Sequence, residues 1–303
     1  MKVAVLGECM VELSRQAAEQ FKLGFGGDTL NTAIYLCRCN GKADYFTVLG
    51  NDSYSQTMLE AWQDEGVGTE HVRIKDGHLP GLYIINNDES GERYFNYWRQ
   101  NSPVRSMLTD FPEVLSEIQE YEVIFLSGIT LSLFPQDDLI ALFNCLRQYR
   151  RKGGQVVFDN NYRKRNWMNL STAMDVFTEM MSLTDVALIS FDDEKSIYGA
   201  HSLEECIDRW ADAGVGEIVV KDGHHGCHVY KDNQRLFFPL RSVLTPVDTT
   251  AAGDSFNGAY LAAKLRGKKI EDCIDTGQQC ASTVIMHKGA IIDRDIVLIG
   301  GSL

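Results

Sequence analysis

Six short runs of this chain are apolar almost from end to end: VAVLG (3–7), YFTVLG (45–50), VIFLSG (123–128), QVVFDNN (155–161), VALIS (186–190) and EIVVKDG (217–223). A strand wetted on one face alternates apolar and polar residues, whereas a strand buried on both faces need not. Between most of these runs lie segments with apolar residues at helical spacing, at 29–39, 55–66, 138–154 and 203–214. Buried strands alternating with helices predict an α/β chain with a mostly parallel central sheet covered on both faces. Ligands in such folds bind beyond the C-terminal ends of the strands. That rule marks Gly7-Glu8, Gly50-Asn51-Asp52, Ser127-Gly128, Asp159-Asn160-Asn161 and Lys221-Asp222-Gly223.

Two places break the alternation. Residues 9–24 and 71–99 are strand-like with tight turns, and DESGER (88–93) reads as a hairpin turn between LYIIN and YFNYW. A lone hairpin is marginal, so these segments are expected to meet as a small sheet over the main one. They make a lid inserted into a single domain spanning 1–303, and the open face of that lid could support a homodimer. Residues 226–246 suggest antiparallel edge strands, followed by helices at 254–266 and around 270–286.

The chain carries 29 Lys and Arg against 42 Asp and Glu, a formal charge of −13, with no basic block. Nucleic acid is therefore a poor partner. No apolar stretch approaches the roughly 20 residues of a membrane helix. The opening MKVAVLGECMVEL reads as a strand, not a secretory leader. The eight cysteines are scattered without zinc-site spacing, which fits reduced thiols in a cytoplasmic protein. His224, His225 and His228 have no acidic or thiol companions at useful spacing and read as loop histidines.

Residues 247–258, VDTTAAGDSFNG, place a run of small and polar residues before a helix, with no phosphate-loop lysine after the glycine. The first N–H groups of a helix lack intrahelical partners. Ala251, Ala252 and Gly253 have too little side chain to keep an anion away from them. Asp254 in the same turn would repel a bare anion, yet it suits the acceptance of a proton from an attacking hydroxyl. The plainer alternative is an ordinary turn followed by an ordinary N-terminal helix carboxylate. GFGGDTLNTAIY (24–35) repeats the arrangement, with Asp28 and Asn31 as hydrogen-bonding groups. KDGHHG (221–226) is a glycine-punctuated loop that could pass beside a nucleotide.

With these residues in view, the chain resembles the ribokinase-like, or PfkB, carbohydrate kinases over about residues 2–295. Gly26-Gly27 with Asn31, and Asp248 through Asp254, carry the likeness. The resemblance implies a three-layer α/β/α fold with a small β-sheet lid, ATP and Mg²⁺ as cofactors, Asp254 as base, and Ala251, Ala252 and Gly253 as the anion hole. It places the nucleotide near Lys221, Gly223, Gly226, Ala251, Gly253 and Ser282. Glu194 would order water around Mg²⁺, although Phe191 replaces the family's usual Asn. GECMVELS (7–14), GFGGDTLNTAIY, GERYFNYWR (91–99) and VVFDNNYRKRNW (156–167) resemble the members that act on 2-keto-3-deoxygluconate. That likeness implies phosphorylation of the 6-hydroxyl of this sugar acid. Gly27, Asp28 and Asn31 would meet the hydroxyl side. Tyr83, Tyr97, Arg99 and Arg163 would meet the acid, whose carboxylate calls for arginine. A neutral-sugar kinase, fructokinase-like or ribokinase-like, and a non-catalytic sugar-binding protein are the alternatives.

Overall fold

In the computed structural model, which describes residues 1–17, 19–87 and 93–298, the chain opens with the fully buried strand β1 (Val3–Leu6). It then leaves the main sheet for the antiparallel pair β2 (Met10–Ala17) and β3 (Gln20–Gly26). Next come α1 (Asp28–Arg38), β4 (Ala43–Leu49), α2 (Ser53–Asp64), β5 (Val72–Ile74) and the pair β6 (Leu82–Asn87) and β7 (Arg93–Trp98). Two short turns, α3 (Met107–Asp110) and α4 (Val114–Glu117), lead to β8 (Val123–Ser127), α5 (Gly128–Leu131), α6 (Gln136–Arg151) and β9 (Gln155–Asp159). The alternation continues through α7 (Leu170–Ser182), β10 (Val186–Ser190), α8 (Phe191–Tyr198), α9 (Leu203–Asp212) and β11 (Glu217–Lys221). The hairpin β12 (Cys227–Lys231) and β13 (Gln234–Phe238) precedes α10 (Ala252–Leu265) and α11 (Ile270–Val284).

The main sheet runs β13-β12-β11-β10-β9-β8-β1-β4-β5. Strands β5 through β11 in that order are parallel, and β12 and β13 are the antiparallel edge. All six apolar runs are strands of this sheet, and successive residues of each feed opposite faces. Ala4, Leu6, Ile124, Leu126, Val156 and Phe158 join one core with residues of α6, α7 and α9. Val3, Val5, Val123, Phe125 and Val157 join the other with residues of α1, α2, α10 and α11. Burial on both faces is why the strands show no alternation.

The small sheet has the order β3-β2-β6-β7. It differs from the expected lid in one respect. The stretch at 72–74 is β5, paired in parallel with β4 at the edge of the main sheet. Two residues set its allegiance: Val72 packs on the second core and Lys75 N donates to Leu49 O (2.9 Å). Within 71–99 the small sheet begins only at Leu82, and in the first segment β3 extends to Gly26. The antiparallel register of β6 and β7 is that of the expected hairpin; its turn at 88–92 lies outside the described residues.

Helix α10 packs between α1 and α11. A Cβ on Gly258 would lie 2.5 Å from Thr32 O and 2.6 Å from Leu36 N, so α1 and α10 touch backbone to backbone. This contact brings the first turns of the two helices together. Replacing Gly258 with Val should cost about 3 kcal/mol through overpacking against an unyielding backbone and lower any activity that needs both helix starts. Urea unfolding together with a turnover assay checks this; unchanged stability and activity would contradict it.

Candidate active site

The turn before α10 is built from small residues for a visible reason. Asp248 accepts hydrogen bonds from Thr250 N (3.0 Å), Thr250 Oγ1 (2.7 Å) and Gly289 N (2.6 Å), which fixes the loop. Ala251 then takes a left-handed conformation, φ 60° and ψ 17°, as the residue before the helix. That conformation costs an L-residue about 1–2 kcal/mol. Ala251 has no capping side chain, and among the described residues the N–H groups of Gly253 and Asp254 meet no acceptor within the chain. The helix dipole adds partial positive charge at the same place. Backbone donors left open in this way can hold an anion.

Asp254 sits one residue further on. Asn31 Nδ2 donates to its Oδ2 (2.9 Å), and Thr32 Oγ1 donates to its carbonyl oxygen (3.3 Å). Burial and the nearby Asp28 carboxylate push the Asp254 carboxyl up to about 7; Asn31 and Lys221 oppose them. Asp28 is itself raised, chiefly by burial, although Ser127 Oγ (2.5 Å) and Asn161 Nδ2 (2.9 Å) donate to its Oδ2. Behind them Asp159 accepts from Asn257 Nδ2 (2.6 Å) and pairs with Lys221 Nζ (3.3 Å), while Lys221 also donates to Asn257 Oδ1 (2.9 Å). A Cβ on Gly253 would lie 3.5 Å from Lys221 Nζ, so this ammonium stands beside the backbone anion site. Three carboxylates and one lysine thus share a small volume, and an acid–base group tuned near neutrality is the outcome.

These residues line one cavity of about 1290 Å³ between the small sheet and the strand ends. Gly27, Asp28, Asn31, Tyr83, Tyr97, Arg99 and Arg163 lie on it, as do Lys221, Gly223, Gly226, Ala251, Ala252, Gly253, Asp254 and Ser282. Gly27 is required by close approach, because a Cβ there would lie 2.0 Å from Glu8 O. Tyr83 and Tyr97 stack with ring centroids 5.7 Å apart. The Tyr83 hydroxyl donates to Glu12, and the Arg99 guanidinium pairs with the buried Glu8. Arg163 is half exposed and pairs with Asp193 (3.3 Å). Burial lifts the Asp193 carboxyl to about 6 against the pull of Arg163.

One expected site residue is elsewhere. Glu194 has no exposed surface: it accepts from Arg209 Nη1 (2.8 Å) and Trp210 Nε1 (3.0 Å), and Asn160 Nδ2 approaches at 3.4 Å. Its carboxylate is committed to fixing α8 against α9, and Asp193 is the carboxylate that lines the cavity at this turn. Asn160, just after β9, also accepts from Ser190 N (2.9 Å) and donates to Ser190 O (3.1 Å). Sequence reasoning did not single out Asp193, Arg165 or Asn257. Asn257 left one trace, a polar residue on an otherwise apolar stretch of α10. Asp159, Asn161 and Ser127 fell within the marked strand ends.

Among the described residues no group of three or more His, Cys, Asp or Glu side chains is arranged to hold a metal ion, and no helix is long and apolar enough to cross a membrane. Magnesium in phosphoryl-transfer sites keeps several waters and takes one or two carboxylates plus substrate phosphates. The cavity carboxylates Asp159 and Asp193, beside a backbone anion site, suit a cation held in that way.

Open backbone N–H groups and a near-neutral carboxyl in the same helix turn, all lining one cavity, suit group transfer to a hydroxyl-bearing substrate. The chain belongs to the pfkB family of carbohydrate kinases, whose pattern it matches over residues 1–296. It is 42% identical to the 2-dehydro-3-deoxygluconokinase of Escherichia coli strain K12, over 97% of this chain and 98% of that one. Among solved structures, the 2-dehydro-3-deoxygluconokinase of Thermotoga maritima superposes with a TM-score of 0.84 at 22% identity, covering 96% of each chain. The fructokinase of Vibrio cholerae O395 bound to fructose, ADP and calcium superposes equally well, at 0.84 and 25% identity, over 95% of this chain and 94% of that one.

Proposed function

We propose that this protein transfers the γ-phosphoryl group of ATP to the 6-hydroxyl of 2-keto-3-deoxy-D-gluconate, also called 2-dehydro-3-deoxygluconate. The observation that carries the reaction is Asp254, a partly buried carboxyl lifted to about 7 beside open backbone N–H groups. The near-full-length likeness to the Escherichia coli enzyme supports the substrate.

Asp254, held by Asn31, accepts the proton of the attacking hydroxyl. The N–H groups of Gly253 and Asp254 meet the charge that develops on the transferring group, and Lys221 adds a positive charge beside them. Asp28, fixed by Ser127 and Asn161, orients the sugar hydroxyls. Gly223, Gly226 and Ser282 line the nucleotide end of the cavity. Magnesium, when bound with the nucleotide, neutralises phosphate charge; Asp159 and Asp193 are the carboxylates in place to hold its waters. Tyr83, Tyr97, Arg99 and Arg163 face the sugar acid beneath the small sheet, which acts as a lid that keeps water from the transferring group.

The outer face of that lid carries Leu13, Leu23, Ile84 and Trp98, on the side opposite Tyr83 and Tyr97. Leu23 is 53% and Trp98 is 58% exposed. An apolar sheet face of this kind suits pairing with a second copy. Sedimentation should give a dimer for the native chain and a monomer for Leu23→Glu; a native monomer at micromolar concentration would refute it.

Asp254→Asn keeps the shape and removes the base. ATP-dependent phosphorylation of 2-keto-3-deoxygluconate should fall by about 10² or more, with substrate binding retained. Near-native turnover in this variant would reject Asp254 as the base.

A further inference from the structure

Asn257 is the odd residue of α10. It has no exposed surface, and the buried helix residues around it, Phe256 and Gly258 to Ala263, are almost wholly apolar. A buried amide costs free energy unless it is hydrogen-bonded, and an apolar residue would serve the core as well or better. Asn257 stands behind the cavity wall, while its two partners, Lys221 and Asp159, line the cavity.

The three side chains close a triangle. Asn257 Nδ2 donates to Asp159 Oδ2 (2.6 Å), and Lys221 Nζ donates to Asn257 Oδ1 (2.9 Å). Lys221 Nζ meets the same Asp159 oxygen at 3.3 Å. Only this orientation of the amide is consistent. Turned over, it would set its NH₂ against the ammonium and its oxygen against the carboxylate. An unhindered ammonium–carboxylate pair closes to about 2.8 Å. Here the shorter bond to Asp159 belongs to the amide, and the ammonium stands further off. A Cβ on Gly253 would lie 3.5 Å from that same Nζ. The ammonium is therefore close both to the carboxylate that attracts it and to the helix turn with open N–H groups. An ammonium has three donors; the triangle uses two and leaves one.

We propose that Asn257 is a positioning residue for phosphoryl transfer. By sharing Asp159 with Lys221 it keeps the ammonium beside Gly253 and stops it from collapsing onto the carboxylate. This rests on the reading of the reaction as transfer of a phosphoryl group to a sugar hydroxyl. An amide suits the task because it offers a donor to the anion and an acceptor to the cation while adding no charge of its own.

The test is a double-mutant cycle joined to a crystal structure. Turnover of ATP and 2-keto-3-deoxygluconate and urea unfolding are measured for the native chain, Asn257→Ala, Asn257→Ser, Lys221→Met and the Asn257→Ala/Lys221→Met double variant. Asn257→Ala should lower kcat by about 10-fold or more and leave the KM for the sugar acid within about twofold. Asn257→Ser, whose hydroxyl both donates and accepts, should recover part of the loss. In the Lys221→Met background, Asn257→Ala should change kcat by less than about twofold, because the group it positions is gone. The crystal structure of Asn257→Ala should show Lys221 Nζ closed on Asp159 to about 2.8 Å and withdrawn from Gly253. A native kcat in Asn257→Ala with lowered stability would overturn the proposal and leave Asn257 a core residue only. Equal losses of kcat in the two backgrounds, or an ammonium unmoved in the crystal structure, would also overturn it. Should the alanine variant not fold, Asn257→Ser carries the same cycle and the same structure. A native chain that does not phosphorylate the sugar acid would defeat the proposed reaction, and the position of Nζ in the variant structure would still decide whether Asn257 holds Lys221 in place.

Discussion

The site depends on two helix starts being pressed together. Gly258 lets α10 approach α1 backbone to backbone, and that approach is what allows Asn31 to reach Asp254 across more than 200 residues of chain (2.9 Å). Asp28 and Asp254 each belong to the first turn of one of these helices. A carboxylate near one helix N-terminus is ordinary and favourable. Two of them in one enclosed cavity are not: burial raises both, with Asp28 adding to the rise at Asp254 and Asp159 to the rise at Asp28. The packing of the core thus sets the chemistry of the site.

The same economy runs through the rest of the cavity. The Asp159, Asn257 and Lys221 network brings one positive charge beside the anion turn while keeping it hydrogen-bonded. The Glu8–Arg99 and Arg163–Asp193 pairs leave little net charge along the sugar side. The Glu8–Arg99 pair is largely buried, and each charge there is tolerated because of the other.

Much of this was legible in the linear chain. Six apolar runs without alternation could only be strands covered on both faces, and they are. The small residues at 251–253 marked a helix start without a capping side chain, and the structure places Ala251 there in a left-handed conformation. Other features were out of reach because they are set by tertiary partners. Glu194 looks like any acidic residue in a polar turn until Arg209 and Trp210 are seen to close on it. Val72–Ile74 carries a strand signal, but its sheet is chosen by β4. Arg165 differs from its neighbours Arg163 and Lys164 only by what lies beneath it, the ring of Tyr97. Residue type and spacing encode backbone architecture well, while the pairing of charges emerges from loops that meet only after folding.

The proposed reaction stands on Asp254, a partly buried carboxyl tuned near neutrality that removes the substrate proton. The pH dependence of kcat/KM for the sugar acid tests it most directly, since it reports the essential groups of the free enzyme. The base must be ionised to act, so activity should fall tenfold per unit on the acid side of an apparent pKa of about 7. A profile that stays flat down to about pH 5, where an ordinary exposed carboxylate is still mostly ionised, would contradict it.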